Sequence, residues 1–192
     1  VFAFKRLYKM KCRSMQSPVL LICFNRPDYV QEMLQALKVC GVTNLYIFKD
    51  GPRPSNINDI VASEKIEHYI SEIDWECNLQ TNFMQNNLGC GYGPFSAISW
   101  AFQYEEELII LEDDCIPTKA FFKFCSEMLN KYRYDDRVSL ISGFSRLLDP
   151  TLFDGYDYIF SNYGVTWGWA TWKRVWTDFD LQLRNVDHFF KQ

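Results

Sequence analysis

The stretch LIILEDDCIP, Leu108 to Pro117, runs four apolar residues into three consecutive acids and then into a turn that ends on proline. A short apolar run bounded by turn residues predicts a buried strand. The acids then stand at its carboxyl end. At about 6 Å separation and an effective dielectric of about 20, each like-charge pair there costs roughly 3 kcal/mol. A positive group is therefore expected beside Glu112, Asp113 and Asp114.

Working outward, short apolar runs alternate with amphipathic stretches from Pro18 onward, the signature of βαβ units and a largely parallel sheet. Strands are predicted at Val19 to Phe24, Asn44 to Lys49, Asn78 to Met84, Leu108 to Leu111 and Val138 to Phe144. YDYIFSN, Tyr156 to Asn162, adds one more. Helices are predicted from Pro27 through Val30, Met33, Leu34 and Leu37, and from Asp59 to Ile73 with Ile60, Val61, Ile66 and Ile70 on its apolar face. Another follows the glycine-rich loop NNLGCGYGP through Phe95, Ile98 and Phe102. A further one carries Phe121, Phe124, Cys125, Met128 and Leu129, and WGWATWKRVW reads as a turn entering a helix.

The composition fits one domain of 192 residues with a sizeable core, 48% of its residues hydrophobic and 17% aromatic. A net charge of -4 gives no basic surface for nucleic acid. Seven cysteines are scattered singly without CxxC pairs, which predicts reduced thiols in a cytoplasmic setting and no structural zinc. Two histidines exclude a multi-histidine metal site. No apolar run approaches a membrane span. Residues 1–16 hold Lys5, Arg6, Lys9, Lys11 and Arg13 without an acid. They read as a basic leader to a domain spanning 17–192, or as a peripheral contact with an anionic membrane surface.

Open parallel sheets place ligands outside the carboxyl ends of their strands. Here those ends carry Asn25 and Arg26, Asp50 and Gly51, the glycine-rich loop, and the acid triplet. An oxygen-only carboxylate set suits Mg²⁺ or Mn²⁺, which take remaining ligands from water and phosphate oxygens, so a diphosphate substrate follows. The alternative is a solvated turn capping the next helix. Arg26, at a predicted helix start, suits a phosphate, or a surface pair with Asp28. Asp50 suits a base or ribose, or ordinary Asp-Gly turn chemistry. Gly89 and Gly91 permit close backbone approach to a ligand. Their loop matches neither the P-loop nor the dinucleotide fingerprint. Trp167 and Trp169, flanking Gly168, suit an aromatic wall for a sugar, while Trp169, Trp172 and Trp176 also read as a core stripe on one helix face. No nucleophile elbow is present, and His68 and His188 lack a Ser or Cys partner.

Taken in order, PVLLICFNRPDYVQEMLQAL, IFKDGPR, NLGCGYGPFSAISWAF, LIILEDDCIP and GVTWGWATWKRVW resemble GT-A fold glycosyltransferases, above all the N-acetylglucosaminyltransferase I family and its bacterial relatives. The resemblance spans Pro18 to Asp180. It implies a GT-A (nucleotide-diphospho-sugar transferase) fold, a Rossmann-like, mostly parallel α/β sheet flanked by helices. It also implies a metal-dependent, inverting transfer from a nucleotide-sugar donor, with UDP as the nucleotide, to an acceptor hydroxyl. On that resemblance Asp114 holds the Mn²⁺ or Mg²⁺ ion, and Glu112 and Asp113 contact ribose and sugar. Arg26 binds phosphate, Asp50 reads uracil, and the turn from Gly164 to Trp169 lines the sugar and acceptor side. The general base lies after the tryptophan-rich segment, where Asp187 is nearest to the expected offset, with Asp178 and Asp180 behind it. Family members continue further, so a catalytic domain shortened at its C-terminus is expected. The rival readings are a nucleotide-sugar binding module without turnover and a sugar nucleotidylyltransferase.

Overall fold

The computed structural model describes residues 17–144, 153 and 155–184. The basic stretch 1–16 and Asp187 lie outside the described residues. Six strands form one sheet in the order β3-β2-β1-β4-β6-β5. They are β1 (Val19–Cys23), β2 (Asn44–Lys49), β3 (Asn78–Phe83), β4 (Glu107–Glu112), β5 (Ile141–Ser142) and β6 (Trp169–Trp172). The first four run parallel, whereas β6 is antiparallel to both β4 and β5. The architecture expected from the sequence, a mostly parallel α/β sheet flanked by helices, is the one observed. Among the described residues no helix is long and apolar enough to cross a membrane.

Walking β1, β2, β3 in one direction places the connecting helices α1 (Pro27–Cys40) and α2 (Ile57–Ser71) on one face. The chain then jumps back across β1 to β4. Right-handed crossovers in opposite directions lie on opposite faces, and α3 (Gly89–Ala101) accordingly packs on the other side with Ala97, Ile98 and Ala101. Helix α4 (Lys119–Lys131) returns to the first face through Phe122, Cys125 and Leu129. Side chains of β1 and β4 alternate between these two cores: Val19, Leu21, Ile109 and Leu111 face α1 and α4, and Leu20, Ile22, Leu108 and Ile110 face α3. Every residue of β1 is buried, as its unbroken apolar run requires.

Several expectations need correction. Helix α2 starts at Ile57, capped by the Asn56 side chain on the N–H groups of Asn58 and Asp59. Its buried face holds Asp59, Ser63, Ile66 and Ile70, while Ile60 and Val61 are exposed. The polar positions are inside because basic partners come to them: Lys49, 1% exposed at the end of β2, bonds Ser63 and reaches Glu67 Oε1 at 3.0 Å. The glycine-rich loop is largely helix, since Gly89 to Pro94 form the first turns of α3. Only Ile141 and Ser142 of the fifth predicted strand pair, and Tyr156 to Asn162 form none. The segment read as a turn entering a helix is strand β6, followed by the short α5 (Lys173–Trp176). Trp169 and Trp172 therefore point to opposite faces of the sheet, Trp172 into the α4 core and Trp169 toward the α3 core.

Candidate functional site

The strand order reverses between β1 and β4, and at such a switch point the crevice outside the carboxyl ends is open to a ligand. Ile22 pairs with Glu112 there, so the residues that follow each strand sit side by side. Arg26 comes from the β1 end. Its Nη1 donates to Asp114 Oδ2 at 3.0 Å, and its Nη2 donates to Asp113 Oδ1. The positive group demanded by the acid triplet is, in the first place, this guanidinium. Asp28, considered as its surface partner, pairs with Lys65 instead.

The three acids are unequal. Asp113 is 2% exposed and points inward, and burial pushes its carboxyl above the ordinary range against the pull of Arg26. Glu112 is exposed at the end of β4 and alternates onto the α3 side of the sheet. Burial of part of its carboxyl, with Asp114 and Asp113 nearby, pushes it up as well. Asp114 is exposed at the turn. For Arg26, burial works against the charge but the bonds to Asp113 and Asp114 outweigh it, so the guanidinium stays firmly protonated. Three carboxylates beside one guanidinium leave excess negative charge at the edge.

Among the described residues no group of three His, Cys, Asp or Glu side chains could hold a metal ion alone. The set that stands at the edge, Asp114 with Glu112 two residues before it, is oxygen-only. An oxygen-only set of this kind matches the donor chemistry of a hard cation, which commonly takes its remaining ligands from water and phosphate oxygens.

Asp114 also opens onto a cleft of about 300 Å³, within the range of small-molecule sites. Phe121, Gly143, Phe144, Trp167 and Gly168 wall it. Trp167 is 57% exposed and meets Phe144 edge-to-face at 5.5 Å. Gly168 adopts φ +65°, a conformation that disfavours side chains. The N–H of Gly143 donates to the Gly168 carbonyl at 3.0 Å, and the Phe121 ring lies over both glycines. Trp169 is not in this wall, because strand alternation turns it to the other face. Nothing in the sequence pattern marked Gly143, Phe121 or Phe144 as part of a site.

Asp50 is 7% exposed, and its carboxylate organises the backbone. Oδ1 accepts from the N–H of Gly51 and Leu88 at 2.9 and 2.8 Å; Oδ2 accepts from Asn87 Nδ2 and Gly89 N–H at 2.9 and 3.0 Å. A base would have to compete with these four donors. Gly51 abuts the Asn86 backbone so closely that a Cβ would lie 2.5 Å from it, the close approach that glycine allows. The N–H of Gly89 is engaged by Asp50, whereas Gly91 has open space where a Cβ would stand. Asp180 lies elsewhere, in a smaller cleft with Tyr92, Phe95 and Phe179. Burial opposes its charge, but the N–H groups of Arg184 and Gln182 and the Arg184 side chain prevail and hold its carboxyl below the ordinary range.

No family model matches the chain. No curated protein matches it either. Among solved structures, the chain is similar to the crystal structure of 4-diphosphocytidyl-2C-methyl-D-erythritolsynthase from Anaerococcus prevotii DSM 20548. The TM-score is 0.51 at 10% sequence identity, over 92% of this chain and 85% of that one. The two share a fold, a mostly parallel α/β sheet flanked by helices. The side chains at the switch point are this chain's own.

Proposed function

We propose that the chain is a glycosyltransferase that takes a sugar from a nucleotide-diphosphate donor, with UDP as the nucleotide, and moves it with inversion to an acceptor hydroxyl. The observation that carries this reading is the meeting of Arg26 with Asp113 and Asp114 at the switch point, beside a cleft walled by Phe121, Phe144 and Trp167. Donor phosphates need positive charge, and a sugar needs an apolar wall with polar groups at its mouth.

In this reading Asp114 holds Mn²⁺ or Mg²⁺, with Glu112 beside it toward the ribose and sugar. When bound, the cation supplies charge stabilisation to the diphosphate. Arg26 steadies the negative charge that builds on the departing nucleoside diphosphate. Asp113 keeps that guanidinium aimed, since it is buried against it. Asp50 holds the turn at Leu88 and Gly89 and thereby the start of α3, where Gly91 leaves room for close approach. Trp167 and Gly168 line the sugar side. The acceptor hydroxyl needs a carboxylate as proton acceptor, and Asp187 is the proposed base. Asp180 is a poor one, with its oxygens engaged by Arg184 and Gln182.

The test is titration calorimetry with UDP and Mn²⁺. Binding that disappears in Asp114→Ala is expected, followed by transfer from a UDP-sugar. Absence of UDP binding, or binding indifferent to Asp114→Ala, would refute the site. UDP binding with neither transfer nor donor hydrolysis would favour a binding module. A nucleotidylyltransferase is the second reading, favoured by the similar structure whose name is that of a synthase of a diphosphocytidyl compound. It requires pyrophosphate release from a nucleoside triphosphate. Against it, β1 is followed by Phe24, Asn25, Arg26 and Pro27 rather than by a glycine-rich phosphate loop.

A further inference from the structure

The carboxylate of Asp59 joins two of the turns that build the edge. It belongs to the first turn of α2 and is 2% exposed. Arg53 meets it with a parallel fork, Nε to Oδ2 at 2.6 Å and Nη2 to Oδ1 at 2.9 Å, and its own N–H adds a bond to Oδ2 at 3.2 Å. From the other turn, Asn25 Nδ2 donates to Oδ1 at 2.8 Å. Four donors on two oxygens fill the acceptor directions of the group. The bonds from Arg53 outweigh burial and hold the carboxyl far below its ordinary range, so the junction stays ionised.

What it joins is informative. Asn25 is the residue before Arg26, and Arg53 follows Asp50 and Gly51. Among the described residues no side chain caps the start of α1, and Pro27 brings no N–H. Asn25, a residue type suited to capping, turns its amide to Asp59 instead. The direction in which Arg26 leaves β1 is therefore set across the sheet edge, through Asn25.

We propose that Asp59 is a positioning residue of the donor site, holding the turn at Asn25 and Arg26 against the turn at Arg53 so that Arg26 reaches the acids of β4. The link to donor binding rests on the function proposed above; the link to Arg26 does not.

A double-mutant cycle on the full chain tests it, read as UDP affinity with Mn²⁺. Asp59→Asn keeps the volume but turns one acceptor oxygen into a donor facing Arg53 or Asn25. The dissociation constant should rise about tenfold, whereas in an Arg26→Ala background the same change should shift it less than about twofold, the mark of coupled residues. Arg53→Lys keeps the charge, loses the fork, and should follow Asp59→Asn. Equal effects in both backgrounds, or unchanged affinity, would overturn the proposal. A ligand-free arm separates it from the donor-site reading: the Arg26 Nε–H signal in NMR should move and exchange faster with water in Asp59→Asn. An unmoved signal overturns the proposal. If wild type binds no UDP, the donor-site reading fails and this signal alone decides the coupling.

Discussion

Alanine at Gly143 tests whether Phe121 is the movable wall of the cleft. A Cβ at this position would stand 2.2 and 2.3 Å from two carbons of the Phe121 ring and 3.2 Å from the Gly168 carbonyl oxygen. Non-bonded carbons rest at about 3.5–4.0 Å, so the ring has to retreat by more than about 1 Å. Inward movement is resisted by Phe122, which is 3% exposed and meets Phe121 edge-to-face at 5.3 Å. The open direction is the cleft itself. Overpacking of this kind costs about 1–3 kcal/mol. For a chain of this size about 2–4 °C accompanies each kcal/mol, so Tm should fall by roughly 2–12 °C. The displaced ring would also occupy the cleft, and UDP-sugar binding should weaken more than UDP binding. Thermal melts and calorimetry measure both. Phe121→Leu shortens the obstructing side chain, so the double variant should recover part of the lost stability instead of adding a second loss. For the melts Gly164→Ala is the control, since the nearest atoms to its Cβ would belong to the flexible Leu140 side chain, at 3.3 Å. A Gly143→Ala protein that melts like wild type, or losses that simply sum in the double variant, would refute the packing argument.

Gly51→Ala puts a Cβ within 2.5–2.6 Å of three Asn86 backbone atoms, which cannot rotate aside; a loss of about 2–3 kcal/mol is expected in urea unfolding. Gly91→Ala, in the first turn of α3 with open space around it, should instead gain about 0.5–1 kcal/mol, and the opposite order would sink the close-approach reading. Asp135 is held at about 2 by the Arg137 guanidinium and N–H, below the ordinary value of about 3.9. Because the folded value is the lower one, its stabilisation is complete above about pH 4 and fades as pH falls toward 2. Tm should then drop less steeply with acid in Asp135→Asn, and equal slopes would count against the pair. With iodoacetamide, exposed Cys90 should label ahead of Cys115, whose thiol is pushed up to about 11 by burial. Buried Cys125, pushed up to about 12, should wait for unfolding. Peptide mapping that found Cys125 labelled first would contradict the packing.

Strands β1, β2 and β4 and helices α1 and α4 were legible because each is a short apolar run or an amphipathic period that needs no distant partner to be read. The region from Val138 to Trp176 was not. Trp169 and Trp172, three residues apart, can share a helix face or stand on opposite faces of a strand. Pairing of Ile110 with Trp169 and Glu107 with Trp172 decides for the strand, and that pairing joins segments about sixty residues apart. The same holds at the site. Glu112, Asp113, Asp114 and Arg26 announced themselves by charge at strand ends. Asp59, Arg53 and Gly143 did not, since their roles depend on which turns the fold brings together.

The acid triplet shows how far the charge argument reaches. Local electrostatics demanded a positive group but could not name it, and the fold supplies Arg26 from the neighbouring strand. Its two bonds are not equivalent. The Asp113 side chain is 2% exposed, so stripping it of its partner would strand a buried charge. The Asp114 side chain is 29% exposed and can trade its bond to Nη1 for water or another cation at little cost. The exchangeable contact is thus Arg26 with Asp114. In the proposed donor site, Arg26 would turn this freed guanidinium nitrogen to a phosphate, and Asp114 would be the carboxylate left to hold the divalent ion. The Asp113 bond would still fix the arginine. One ion pair at the edge is buried and fixed, and the other stands where water can exchange with it.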